Sequence, residues 1–92
     1  MADAPLPDLV LYGRSGCGLC VETRALLARL LTDRTRAGLR TPVLVERDIQ
    51  TDPDWERAFL TTIPVIELGG RRLELAVSAA RIGRFISDLL DG

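Results

Sequence analysis

Leu11-Tyr12-Gly13-Arg14-Ser15-Gly16-Cys17-Gly18-Leu19-Cys20 is the stretch whose reading decides the fold. It carries the only two cysteines of a 92-residue chain. An apolar run, Leu9-Val10-Leu11-Tyr12, ends at Gly13, and an amphipathic pattern begins at Cys17. A strand passing through a glycine loop into a helix would set Cys17 at the helix start, beside free backbone N–H groups and the positive end of the dipole. Cys20 would lie one turn further in. A thiolate is favoured in such a place, and thiols so placed titrate at about 3.5 to 7.5 rather than about 8.5. Arg14 would add a nearby cation. The spacing therefore assigns unequal roles: Cys17 as the attacking thiolate, Cys20 as the buried thiol that resolves a mixed disulfide on Cys17.

Composition bounds the alternatives. Twelve basic and thirteen acidic side chains leave a net charge of −1, which gives no reason to expect nucleic acid or an anionic membrane as partner. No apolar run approaches the roughly 20 residues of a membrane span. Residues 1–7, with two prolines and no periodicity, are expected to be a mobile lead-in without the basic and apolar regions of a secretory signal. Residues 8–92 should form one domain, expected in the cytoplasm, where a close cysteine pair points to catalysis or metal binding rather than a permanent bridge. Structural zinc usually takes four Cys or His ligands, and this chain has two cysteines and no histidine. A metal or Fe–S site would need outside ligands or a second chain. No resident cofactor is expected, and a monomer is.

Outward from the cysteines, the first helix should run from about Cys17 to Leu31 or slightly beyond. Cys20, Leu26, Leu27, Leu30 and Leu31 form its apolar side, and Glu22, Arg24 and Arg29 its solvated side. Residues 32–37 read as polar and helix-compatible and Gly38 as the C-cap, and the solvated face of the helix is expected to have no role beyond solubility. Residues 43–49 read as a second strand, parallel to the first through a helical crossover. Asp52 and Pro53 open a short helix to about Leu60 that offers Trp55, Phe59 and Leu60 for burial. Residues 65–68 and 71–75 make a hairpin around Gly69-Gly70. Ser78 caps a last helix in which Ile82, Phe85, Ile86, Leu89 and Leu90 repeat at helical spacing, and Gly83 offers close approach to a neighbour. The order β-α-β-α-β-β-α predicts an α/β domain with a mixed four-stranded sheet and helices on both faces.

Cys17-Gly18-Leu19-Cys20 after the first strand, Thr62-Ile63-Pro64 before the third, and Gly69-Gly70 at the hairpin together resemble the thioredoxin-fold superfamily, its glutaredoxin-like branch most closely. The resemblance covers nearly the whole chain after residue 8. It implies a thiol-disulfide oxidoreductase acting on protein or low-molecular-weight disulfides. Glutathione or another thiol would be co-substrate, and a thiol reductase a further partner. It also implies that Pro64 is cis, that the Ile63 backbone is open to an incoming strand, and that Arg14 takes the place of the basic residue before the cysteines. Thus Arg14, Ile63 and Pro64 are the expected substrate-binding residues beside catalytic Cys17 and Cys20. The chain departs from the pattern at Gly18-Leu19, where glutaredoxins carry Pro-Tyr, and at Glu74-Leu75, where they carry Gly-Gly. It also has Leu11 where thioredoxins place a buried acid. Two other readings stay open: a binding module that presents the Ile63 edge without turnover, and a metal or Fe–S site shared between two chains.

Overall fold

A computed structural model describes residues 5–92. Its elements follow the expected order: β1 (Leu9–Gly13), α1 (Gly18–Arg36), β2 (Leu44–Asp48), α2 (Pro53–Phe59), β3 (Val65–Leu68), β4 (Arg71–Leu73) and α3 (Ala79–Leu90). A single 3-10 turn (Ile49–Thr51) joins β2 to α2. The strands lie in the order β2-β1-β3-β4. β1 pairs parallel with β2 and antiparallel with β3, and β3 pairs antiparallel with β4. The thioredoxin-like α/β fold with a mixed sheet is thus what the chain adopts.

The strand period of two sorts the core into two layers. Leu9 and Leu11 from β1, with Ile66 and Leu68 from β3, bury one face beneath Leu27 and Leu31 of α1 and Ile82 and Ile86 of α3. Tyr12 and Val65 point the other way, against Ile49 and Phe59, with Trp55 and Ile63 packed alongside. On this second face the Tyr12 hydroxyl donates to Glu67 at 3.3 Å, Arg72 donates to Glu67 at 2.7 Å, and the Arg72 guanidinium lies 5.0 Å from the centre of the Phe59 ring. Burial, reinforced by the Glu67 carboxylate, raises the Tyr12 hydroxyl above its ordinary pKa.

Several expectations shift in detail. α1 continues to Arg36, with Ala37 as C-cap and Gly38, at φ 74°, one residue beyond it. There the Leu39 N–H bonds back to the Arg34 carbonyl at 3.0 Å, so glycine supplies the left-handed turn. Residues 32–37 are not all solvated: Arg34 is buried. Its guanidinium donates to both carboxylate oxygens of Asp91, at 2.8 and 2.7 Å, and twice to the Arg40 carbonyl, at 2.9 and 2.7 Å. Thr23 is also buried, its hydroxyl donating to the Ala76 carbonyl at 2.6 Å. In α2, Phe59 is buried and Trp55 half-buried, but Leu60 is 48 % exposed because it follows Phe59 directly and lies off the stripe that Trp55 and Phe59 share at i and i+4. β4 stops at Leu73 rather than Leu75, because the chain turns at Leu75, whose φ is +48°. Gly83 is not demanded by a close neighbour: an added Cβ would meet Leu30 at an ordinary 3.9 Å.

Of the lead-in expected to be mobile, residues 1–4 lie outside the described residues. Residues 5–7 have no regular structure, yet Leu6 is half-buried and Pro7 reaches the hairpin turn, 3.7 Å from where a Cβ on Gly69 would stand. Among the described residues no helix is long and apolar enough to cross a membrane.

Candidate functional site

The site forms where β1 runs out and α1 begins. The Cys17 N–H reaches the Arg14 carbonyl at 3.4 Å across a turn whose third residue, Gly16, has φ +79°, a conformation that glycine adopts without a Cβ penalty. The turn sets Cys17 as the N-cap of α1 with extended backbone (φ −90°, ψ 102°). In place of the usual hydroxyl or carboxylate, the Cys17 sulfur accepts the cap hydrogen bond, from the Cys20 N–H at 3.1 Å. A helix N-terminus is therefore directed at that sulfur, with its free N–H groups and partial positive charge.

Cys17 and Cys20 are joined by a disulfide. They are unequal: Cys17 is half-buried, whereas Cys20 is 7 % exposed and turned toward the sheet. Gly13 explains how Cys20 fits. A Cβ on Gly13 would stand 3.1 Å from both Cβ and Sγ of Cys20, so the last residue of β1 has to be nearly side-chain-free. Gly13 ends β1, as expected, and its missing side chain also makes room for the disulfide.

The Ile63–Pro64 peptide bond is cis. Because Tyr12 pairs with Val65, the antiparallel register continues to place Pro64 beside Gly13, and hence beside the disulfide. Pro64 is buried and Ile63 half-buried. The Ile63 N–H donates to the Phe59 carbonyl at 3.1 Å, satisfying the end of α2. Of the backbone expected to be open at Ile63, the N–H is therefore engaged, and among the described residues nothing donates to its carbonyl. On either side, the Thr62 carbonyl accepts from Leu75 N–H at 2.9 Å and the Pro64 carbonyl from Ala76 N–H at 2.8 Å. Leu75 thus stands next to the Thr62-Ile63-Pro64 segment, with its side chain 47 % exposed. A positive φ is uncommon for leucine, and nothing in the sequence announced it.

Arg14 is exposed and borders an open cavity of about 430 Å³ behind the disulfide. Cys20, Gly13 and Leu11 form part of its wall, and Arg24, Glu46 and Asp48 another part. Arg24 and Glu46 pair across it at 3.5 Å. The structure therefore gathers Arg14, Cys17, Cys20, Ile63 and Pro64 at one end of the sheet, around β1's last residue. To these are added Gly13, Glu46 and Leu75, whose places here depend on contacts that no local sequence pattern shows. Among the described residues, no three His, Cys, Asp or Glu side chains gather into a group able to hold a metal ion.

A Cys-x-x-Cys disulfide capping the first helix, a cis-proline opening the third strand and the sheet order β2-β1-β3-β4 define a thioredoxin-fold protein with a two-cysteine centre. Comparison with known families narrows the class. The family described as "Glutaredoxin-like domain (DUF836)" matches residues 8–87, and the chain belongs to it. Among solved structures, the chain is similar to the structural-genomics target protein XcR50 from X. campestris. Against its X-ray structure the identity is 27 %, with 87 % of this chain and 96 % of that one covered and a TM-score of 0.69. Against its solution structure the identity is 28 %, the coverage 88 % and 94 %, and the TM-score 0.64. Protein Ne2328 from Nitrosomonas europaea shares the fold at 20 % identity, with 92 % and 96 % coverage and a TM-score of 0.63. No curated protein matches the chain.

Proposed function

We propose that this protein is a thiol-disulfide oxidoreductase of the cytoplasm, acting on protein or low-molecular-weight disulfides. The observation that carries the reading is the inequality of the two sulfurs: Cys17 caps α1 and is partly open to solvent, while Cys20 is buried behind it against Gly13. In the reduced protein the Cys17 thiolate attacks one sulfur of a substrate disulfide. A Cys17–substrate bond forms, the substrate's own S–S bond breaks, and one thiolate leaves. The Cys20 thiolate then attacks the Cys17 sulfur and expels the second substrate thiolate. The substrate gains two electrons and the protein keeps the Cys17–Cys20 disulfide. Glutathione, another low-molecular-weight thiol or a thiol reductase returns the pair to the dithiol.

Arg14, the Ile63 carbonyl and Pro64 are the proposed substrate-binding groups. Arg14 lines the cavity that Cys20 also lines, Pro64 stands at the start of β3 beside the end of β1, and the Ile63 carbonyl offers one acceptor to a peptide laid against it. Turnover of a model disulfide with each donor tests the proposal. Cys17→Ser should abolish reduction, and Cys20→Ser should accumulate a mixed disulfide visible by mass spectrometry. Full activity in Cys17→Ser would overturn it.

A further inference from the structure

A single exposed leucine is ordinary on a protein surface. Leu75 is not ordinary, because it works against folding in two ways. Its φ of +48° lies in the left-handed region, which glycine, asparagine and aspartate enter more readily than leucine does. Its side chain is nevertheless 47 % exposed, so little burial offsets the strain. Backbone outliers of this kind persist only where the surroundings impose them, and they gather at binding and catalytic sites.

The surroundings of Leu75 do impose it. Its N–H donates to the Thr62 carbonyl at 2.9 Å, and the Ala76 N–H donates to the Pro64 carbonyl at 2.8 Å. From the other side, the buried Thr23 hydroxyl donates to the Ala76 carbonyl at 2.6 Å. Thr23 stands one turn after Cys20 in α1. The loop is thus tied both to the cis-proline segment and to the helix that carries the cysteines. Between Thr62 and Pro64, the Ile63 carbonyl receives no donor among the described residues.

The neighbouring segments are apolar and offer a carboxylate no cation. Seven large apolar side chains are exposed among the described residues, and five belong to segments that border the site. They are Leu19 and Val21 in the first turn of α1, Leu60 at the end of α2, and Leu75 and Val77 in the loop. Residues 60–63 and 75–77 carry no charge, and Glu74 adds an anion. Arg72 is engaged by Glu67 at 2.7 Å. A ligand on this side of the disulfide meets a backbone acceptor and aliphatic surface. An extended peptide with an aliphatic side chain supplies the matching donor and the matching surface.

We propose, on the redox reading of the pair, that Leu75 is a specificity-determining residue. It selects peptide disulfides with an aliphatic residue beside the reacting cysteine over small charged disulfides such as oxidised glutathione. A substrate backbone N–H donates to the Ile63 carbonyl, and the adjacent aliphatic side chain packs on Leu75, which removes from water apolar surface that both expose when apart. The exchange at the cysteines is the one described above.

Single-turnover oxidation of the reduced protein tests the assignment. An excess of one disulfide is added: the dimer of acetylated, amidated Leu-Cys-Leu, the matching Ser-Cys-Ser dimer, or oxidised glutathione. The oxidised fraction is read by acid quench, alkylation and mass spectrometry. The leucine dimer should react at least about tenfold faster than the other two, the scale of discrimination that a hydrophobic contact supplies. Leu75→Asn keeps a side chain of similar size and suits a positive φ, so its urea midpoint should be no lower than that of the wild type. It should bring the two peptides to nearly equal rates by slowing the leucine dimer, whereas Leu75→Met should keep most of the preference. Equal rates for the two peptides in the wild type overturn the proposal, as does a preference that survives in Leu75→Asn. A lowered midpoint in Leu75→Asn would mean that Leu75 serves packing, and overturns it too. If none of the three disulfides oxidises the wild type, the redox reading itself fails, and the Leu75 assignment with it.

Discussion

Gly13 is held at the end of β1 by what lies behind it. Its backbone does not need the left-handed region, which in this loop is used by Gly16 at φ +79°. Its missing Cβ is what matters, because alanine there would press at 3.1 Å on a cysteine that is tethered through both the helix and the disulfide. Gly13→Ala is predicted to lower stability by about 1 to 3 kcal/mol, the range of overpacking, measured by urea unfolding of the oxidised protein. A loss indistinguishable from zero would mean that Cys20 relaxes freely and that the pair is not rigidly presented. The same reasoning shows what can be read from residues. Cys17 and Cys20 were legible from their spacing, and the cis Pro64 only through the family resemblance, since by itself it reads as the start of a strand. Gly13 and Leu75 were not, because a glycine after a strand reads as punctuation and a leucine before a loop reads as strand. Their roles come from atoms distant in sequence: Cys20 behind Gly13, and Thr62 beside Leu75.

Helices and strands were read mostly from periodicity, which finds what an element buries but not what a charge on it meets. α3 shows the success: Ile82 and Ile86 are buried, with Phe85, Leu89 and Leu90 packed around them. The C-terminal half of α1 shows the limit. Arg34 looks like one more solvated charge among Thr32, Asp33 and Arg36, yet it is the clasp that holds the ends of α1 and α3 and the loop before β2 together. Its carboxylate partner is 57 residues away, beyond the reach of any local pattern. Hydrogen bonding to Arg34 holds the Asp91 carboxyl below the usual carboxylate range. A carboxyl whose folded pKa lies below its unfolded value, about 3.9, stabilises the fold at pH above that value. The contribution fades as pH falls through the lower, folded value. Asp91→Asn should accordingly be less stable than wild type at pH 7, and the difference should shrink progressively as pH drops below about 4. Urea midpoints at several pH values would show it. A difference that is constant with pH would remove the ion pair as the cause.

The two core layers share one sheet, and that sets the behaviour of the whole molecule. Leu9 and Leu11 face α1 and α3, while Val10 and Tyr12, the alternate residues of the same strand, face α2. Neither layer can be lost without exposing the other side of β1. Ile66→Ala, at a fully buried position of β3 on the α1 face, is predicted to remove about 2 to 5 kcal/mol. That is a large fraction of the 5 to 15 kcal/mol a domain commonly holds. The emission of Trp55, on the opposite face, should shift in the same transition as the far-UV circular dichroism, because a small domain of this kind unfolds as one unit. Separate transitions would mean that the α2 layer melts independently. At this scale the sequence was most informative: the element order, the parallel first crossover and the hairpin follow from hydrophobic periodicity, element lengths and the Gly69-Gly70 turn, and they fix which end of the sheet carries the cysteines.

That end of the sheet matters only if Cys17 is a more reactive thiolate than Cys20. The direct measurement is the rate of iodoacetamide alkylation of each cysteine in the fully reduced protein, across pH, with peptides resolved by mass spectrometry. The helix cap predicts that Cys17 reacts at least about tenfold faster at neutral pH and titrates clearly below the ordinary thiol value of about 8.5, with Cys20 slow throughout. Two cysteines alkylated at the same rate, both titrating at 8.5 or above, would contradict the account and favour a binding module over an oxidoreductase.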